Sequence, residues 1–241
     1  MSVIQFTENR LLPAREVTLR LAAAPHPYEM LHAQDIEANW QAERARNPAL
    51  FDGRTVLFSR IGLQDGHLVG ACHEVRYASL LHWRLARRTD MAAHLFAMAL
   101  PVTADGAVLT VRMAPWTANA GQIYFAGGSL EPDDFVHAVA DVDGNMQREV
   151  LEETGLALEG IPRDARYRVV RTDRGVVVIR RYALPQTAGE VEDRIRAFVA
   201  GETRPEIVEP VLLTRGSPPD PALQPWVRRI VDWHFATPAD D

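Results

Sequence analysis

Three glutamates stand close together in the run Arg148-Glu149-Val150-Leu151-Glu152-Glu153-Thr154-Gly155-Leu156. Helical residues advance by about 100° each, so Glu152 lies about 300° and Glu153 about 400° around the axis from Glu149. All three carboxylates then fall within one sector of roughly 100°. Like charges at this spacing destabilise an isolated helix by a few tenths of a kcal/mol each, which calls for a compensating partner. A hard divalent cation is one such partner, because Mg²⁺ takes oxygen ligands and shares them with water and with substrate phosphates. The other is a side chain of the helix itself, since Arg148 and Glu152 are four residues apart and can pair on a solvated face.

The residues that lead into this run narrow the choice. A short predicted strand, Gln122 to Phe125, runs into Gly127-Gly128-Ser129-Leu130-Glu131-Pro132-Asp133-Asp134. Paired glycines after a strand permit a tight turn and a close approach of backbone to a ligand. A second acidic pattern competes for the same stretch. Asp141, Asp143, Asn145 and Glu152 occupy positions 1, 3, 5 and 12 of a calcium-binding EF-hand loop. Met146 stands where that loop needs glycine, and no good helix immediately precedes Asp141. The segment reads better as a turn and helix cap.

With both halves in view, the sequence resembles the Nudix hydrolase family, whose signature is G-x5-E-x7-R-E-U-x-E-E-x-G-U, where U is aliphatic. Gly128 matches the opening glycine, and Arg148 to Leu156 match at every specified position. Asp134 stands where the first glutamate belongs, and thirteen residues, 135 to 147, replace seven, so the loop is six residues longer. The resemblance extends over residues of roughly 91 to 215. It implies a Nudix-type α/β/α sandwich with a mixed sheet, in which Glu149, Glu152 and Glu153 hold Mg²⁺ with the Gly127 carbonyl as a backbone ligand. Mn²⁺ could replace Mg²⁺ in a site of this kind. Cleavage of a diphosphate bond by a metal-activated water is the implied reaction, one carboxylate taking the proton and Arg148 orienting the glutamates. The resemblance also implies a loop-stabilising role for Asp134 or Glu131. Glu190 and Glu192 are candidates for the base, or are ordinary acids at a helix start.

Substrate is less marked. Arg112, Trp116, Tyr124 and Phe125 could wall a base-binding pocket, though each also has a plausible structural role. Asn47-Pro48-x-Leu50-Phe51 and the stretch from Tyr77 to Trp83 are similar to the branch of the family that splits uridine diphosphate glucose, which points to a nucleotide sugar. The resemblance equally allows a coenzyme A, dinucleotide or oxidised nucleotide substrate, or a Nudix-fold binding or regulatory module that has lost catalysis.

The elements that must position these residues follow from periodicity and turn signals. Strands are expected at 15–22, 55–62, 67–75, 95–102, 107–112, 122–125, 167–172, 176–184 and 207–213. Helices are expected at 28–46, 77–87, 146–154, 190–200 and 221–235, the third ending at Gly155. Asp173-Arg174-Gly175 reads as a hairpin turn and Ser217-Pro218-Pro219-Asp220-Pro221 as a loop. The class is α/β, or α+β, with a mixed sheet. A structured N-terminal extension, 1–90, would precede a catalytic domain, 91–241.

At 241 residues, 47% hydrophobic and 24% charged, the chain has the composition of an ordinary globular protein. A net charge of −6 argues against binding to long nucleic acid, and a small nucleoside diphosphate fits better. A single cysteine, no secretory layout and no long apolar run suggest a cytoplasmic protein without a membrane span. A homodimer is open, since sheet-forming extensions can pair.

Overall fold

The structure is a computed structural model that describes residues 3–7, 10–86, 90–173, 175–218 and 220–237. Arg87 of the second predicted helix, Arg174 of the predicted hairpin and Pro219 of the predicted loop lie outside the described residues. The chain is a mixed α/β protein, as its sequence leads one to expect. Its elements in order are β1 (Leu12–Ala14), β2 (Glu16–Ala22), α1 (Pro27–Leu31), α2 (Ala33–Arg46), β3 (Arg54–Gln64), β4 (His67–Arg76) and α3 (Tyr77–Ala86). There follow β5 (Leu95–Val102), β6 (Val108–Met113), β7 (Ile123–Tyr124), β8 (Gly127–Ser129), a 3₁₀ turn (Pro132–Asp134), β9 (Phe135–Val136), β10 (Val139–Ala140) and α4 (Val142–Thr154). The remainder is β11 (Tyr167–Thr172), β12 (Gly175–Ala183), α5 (Ala188–Gly201), β13 (Ile207–Leu213) and α6 (Pro225–Ala236). No helix among the described residues is long and apolar enough to cross a membrane.

The chain forms two compact units, one comprising Met1–Phe96, Ser129–Val142 and Val169–Val178, the other Ala97–Gly128, Asp143–Arg168 and Ile179–Asp241. In the first, a sheet runs in the order β3-β4-β2-β10-β9. β3 and β4 are an antiparallel hairpin turned at Asp65 and Gly66, both at positive φ, as the Asp-Gly pair demands. β2 pairs with β4 in parallel, with the three helices α1, α2 and α3 elsewhere in the unit. Their apolar faces bury Tyr28, Ile36, Trp40, Leu80 and Trp83 with Leu57 and Val75 of the sheet. The single helix expected at 28–46 is two, because His32 takes a non-helical conformation between them (φ −110°, ψ 19°).

The signature loop's extra residues are structured. β9 and β10 form a hairpin whose central residues, His137 and Ala138, both have positive φ (50° and 61°), the conformation that suits a two-residue turn between twisted strands. β10 pairs in turn with β2 at Val139 and Arg20. Neither His nor Ala advertises such a turn, which is why the hairpin is not legible from sequence.

In the second unit β6 is antiparallel to β13 from Ile207 to Leu213 and to β7 at Tyr124 and Ile123. β5 meets β6 at Val102 and Val108. Helix α4 begins at Val142, four residues earlier than expected, despite Gly144. The reason is tertiary. The Asp143 carboxylate accepts hydrogen bonds from Arg180 at 2.7 Å and from the Tyr182 hydroxyl at 3.2 Å, and Arg163 lies 3.5 Å away. These contacts hold a first turn that the glycine alone would weaken by about 1 kcal/mol. With 142–145 helical, the EF-hand alternative is excluded, since that motif needs a loop there.

Candidate functional site

Helix α4 buries Met146 and Val150, and the Thr154 hydroxyl donates back to the Val150 carbonyl at 2.5 Å. The helix stops at Gly155, which has φ +69° and would press a Cβ to 2.5 Å from the Phe198 ring, so glycine is required twice over. On this frame the three glutamates share a sector but differ in environment. Glu153 is only 6% exposed, the Glu149 side chain 15% and the Glu152 side chain 58%.

Glu153 is the unusual member. Its Oε2 atom is buried and has no hydrogen-bond partner among the described residues. Its carboxyl is held well above the ordinary value near 4.5, first by burial, then by the charges of Glu149, Glu206 and, more weakly, Glu152. A hydrogen bond from the Gly127 backbone opposes the rise without cancelling it. Isolated buried carboxylates of this kind either stay protonated or meet a cation.

The glycine turn is built around the same helix. A Cβ on Gly128 would lie 2.5 Å from the Glu149 carboxyl carbon and Oε1, so only glycine lets that carboxylate lie against the backbone. A Cβ on Gly127 would meet the Ala97 carbonyl oxygen at 2.7 Å and Met98 Cα at 3.0 Å. The two glycines therefore serve different ends, Gly127 the strand packing and Gly128 the carboxylate.

Arg148 contacts both outer glutamates, at 2.9 Å to Glu149 Oε1 and 3.0 Å to Glu152 Oε2. With the side chains so arranged, no group of three or more His, Cys, Asp or Glu residues among the described residues is disposed as a metal-ligand cluster. The donor set nevertheless suits a hard cation: it is all oxygen, it includes one buried oxygen without a partner, and it is crowded by like charge.

Glu206 has no place in the signature and is not found by sequence reasoning. It precedes β13, its carbonyl accepts from the Ala114 backbone at 2.8 Å, and its charge bears on Glu153. Its only advance signal is an acid at the start of a predicted strand, which is too common to choose.

The other candidates have structural partners. Glu190 closes a capping box on α5, accepting from the Thr187 backbone and hydroxyl at 2.8 Å, bonds that lower its pKa. Glu192 pairs with Arg196 at 2.8 Å. Arg112 bridges Glu209 (2.9 Å) and Asp220 (3.1 Å). Phe125 is fully buried, its ring 6.3 Å from that of Trp226, and Tyr124 is buried with its hydroxyl accepting from Asn119. Of the four residues considered for a base-binding wall, Trp116 alone is half exposed, in the loop that begins at Ala114. In the other unit Asp134 and Glu131 cap one another across the 3₁₀ turn, Asp134 accepting from the Glu131 backbone at 2.8 Å. That is the loop-holding task expected of an acid there, done by the shorter side chain.

No protein-family profile matches the chain, and no curated protein does. Among solved structures it is similar to a MutT protein from Methanosarcina mazei Go1, at 17% identity and a TM-score of 0.40, over 59% of this chain and 93% of that one. A bifunctional NMN adenylyltransferase/ADP ribose pyrophosphatase from Francisella tularensis, complexed with AMP and a manganese ion, is similar at 17% identity and a TM-score of 0.39, over 60% of this chain and 41% of that one. A Nudix hydrolase from M. smegmatis, RenU, is similar at 15% identity and a TM-score of 0.36, over 60% and 83% of the two chains. Likeness at this level assigns neither family nor activity, and the functional reading rests on this chain's own residues.

Proposed function

We propose that this protein is a Mg²⁺-dependent hydrolase of Nudix type that cleaves the diphosphate linkage of a nucleoside diphosphate derivative, with nucleotide sugars the first substrates to try. The chemistry belongs to residues 91–241, with 1–90 an extension. The observation that carries the proposal is the buried Glu153 carboxyl, one oxygen without a partner, on the helix that the glycine turn abuts, crowded by Glu149 and Glu152 of that helix and by Glu206 before β13.

Glu149, Glu152 and Glu153, with the Gly127 carbonyl, are the groups that would hold Mg²⁺ or Mn²⁺. The bound ion would supply neutralisation of the diphosphate and a more acidic water. Hydrolysis adds water across one P–O–P bridge: a bond forms from water oxygen to one phosphorus, the bridging oxygen leaves with the other, and the water's proton passes to a carboxylate of this cluster. Arg148 holds the outer glutamates in place through its two ion pairs. Gly128 leaves room for Glu149 to lie against the turn.

Release of two phosphate-containing products from a panel of nucleotide sugars, dinucleotides, coenzyme A and oxidised nucleotides in Mg²⁺ tests the proposal. Glu153→Gln and Glu152→Gln should each abolish turnover while leaving the circular dichroism spectrum unchanged. Full activity in both variants would remove the glutamates from the site. Saturable nucleotide binding without turnover of any compound would assign the chain as a binding module instead.

A further inference from the structure

Within the second unit a cleft of about 300 Å³ opens beside the ends of β5, β12 and α6, lined by Val102, Pro162, Arg163, Arg181, Ala183 and His234 among others. The carboxylate helix's glutamates are not among its lining residues. Its walls combine small apolar surfaces with charged residues of both signs, Arg163, Arg181 and Asp164. Arg181 is buried in an ion pair with Asp164 at 2.6 Å, donates to the Thr237 carbonyl at 3.1 Å and lies over the Trp233 ring at 4.7 Å. Arg168 stands over the same ring at 5.0 Å.

Arg163 differs from these. Its side chain is 38% exposed, and its ionic contact is the long one, 3.5 Å, to Asp143. The same Asp143 carboxylate is already held by Arg180 at 2.7 Å and by the Tyr182 hydroxyl at 3.2 Å. Asp143 therefore stays satisfied when Arg163 turns away, so this guanidinium can serve a ligand at little cost. Of the charged residues that line the cleft, Arg181 is neutralised by Asp164, which leaves Arg163 in excess, and His234, held down at about 4 by burial and then by the charges of Arg181 and Arg215, is neutral at pH 7 and adds no cation of its own. In a chain of net charge −6, a cleft with this bias is suited to an anion.

We infer that this cleft is a second ligand site, which takes a small molecule bearing an oxyanion, phosphate or carboxylate, on Arg163 and seats its apolar body against Val102, Pro162 and Ala183. An Arg guanidinium matches either oxyanion with paired N–H donors, so the chemistry they share is what the geometry assigns. The site does not depend on the metal.

The test uses the full chain in EDTA, where the glutamate cluster has no metal ion with which to hold an anion and its Arg148 is paired with Glu149 and Glu152. Inorganic phosphate, phenyl phosphate and benzoate are titrated separately, with thermal unfolding and the His234 ring signals in NMR as readouts. Expected is a saturable rise in Tm with a downfield move of the His234 titration toward higher pH, since an added negative charge favours imidazolium. A response to phenyl phosphate and not to benzoate assigns phosphate as the oxyanion, and the converse assigns carboxylate. Arg163→Gln should weaken binding at least tenfold, and Ala183→Leu, which fills the cleft from an exposed position, should do the same without touching a charge. No saturable response to any of the three probes overturns the inference, as does a response that both variants leave unchanged.

Discussion

The two glycines of the signature turn separate fold from chemistry when each is replaced by alanine. At Gly127 the new methyl would lie 2.7 Å from a main-chain oxygen of Ala97 and 3.0 Å from Met98 Cα, atoms of strand β5 that cannot move without disturbing the sheet. Overpacking of this kind costs about 1–3 kcal/mol. At about 2–4 °C per kcal/mol for a chain of this size, Gly127→Ala should lower Tm by roughly 2–12 °C.

At Gly128 every atom within reach of the methyl, at 2.5–2.6 Å, belongs to the Glu149 carboxylate. That group sits at the end of a flexible side chain and can swing aside for about 0.5–1.5 kcal/mol of rotamer energy. Gly128→Ala should therefore fold with a Tm within a few degrees of wild type while displacing Glu149 by about 1 Å. Misplacement on that scale costs on the order of 10²-fold in rate. Differential scanning fluorimetry with and without Mg²⁺, beside product release, reads both effects. Saturating Mg²⁺ at about 100 times its Kd should stabilise the wild type by about 2.7 kcal/mol, and Gly128→Ala should lose most of that gain. A Gly128→Ala protein that keeps the full Mg²⁺ response and full turnover refutes the placement of Glu149 against the turn. A Gly127→Ala protein as stable as wild type refutes the close packing on β5.

Three further outcomes follow from named contacts. Glu153 binds its proton more tightly in the folded chain than in the unfolded one, so its contribution to stability is present below about pH 4.5 and is lost as pH rises through its raised folded value; Tm in EDTA should fall over that window, and Glu153→Gln should flatten the fall. Cys72 is buried and its thiol is pushed up to about 12 by burial, so a disulfide reagent at pH 8 should label it only after denaturation, and labelling at the rate of a free thiol in the native protein would contradict that burial. Deleting residues 135–140 should keep the Mg²⁺ response while lowering Tm by the loss of the β10–β2 pairing, and loss of the response in a folded deletion variant would show that the hairpin is part of the site.

Much of the framework is legible in the sequence because it depends on local pattern. Strands at 95–102, 167–172 and 207–213 have the expected bounds, since each is a run of β-branched or apolar residues closed by turn-formers. The end of α4 at Gly155 is equally local. Its start is not, because the hold on Asp143 comes from Arg180 and Tyr182, which are remote in sequence. The site divides in the same way. Spacing alone puts Glu149, Glu152 and Glu153 in one sector and Arg148 within reach of Glu152. It says nothing of which carboxylate is buried, and the inequality between Glu153 and Glu152 arises from what packs on the helix. Glu206 enters only through the pairing of β13 with β6.

The long loop illustrates how a departure from a sequence pattern can be a local addition. The backbone N–H of Asp141 donates to the Asp134 carbonyl at 2.8 Å, so the chain leaves at 134 and returns to the same point at 141. The residues between them, Phe135 to Ala140, are the β9–β10 hairpin, and they are six, the number by which the loop exceeds the signature. From Asp141 to Gln147 seven residues remain before Arg148, the spacing the signature requires. The insertion is thus a closed excursion whose ends are joined by a hydrogen bond, and its pairing with β2 gives the extra residues a place in the five-stranded sheet. Loop length measured along the chain overstates the change, because the six added residues close on themselves and the chain resumes at Asp141 within hydrogen-bonding distance of Asp134.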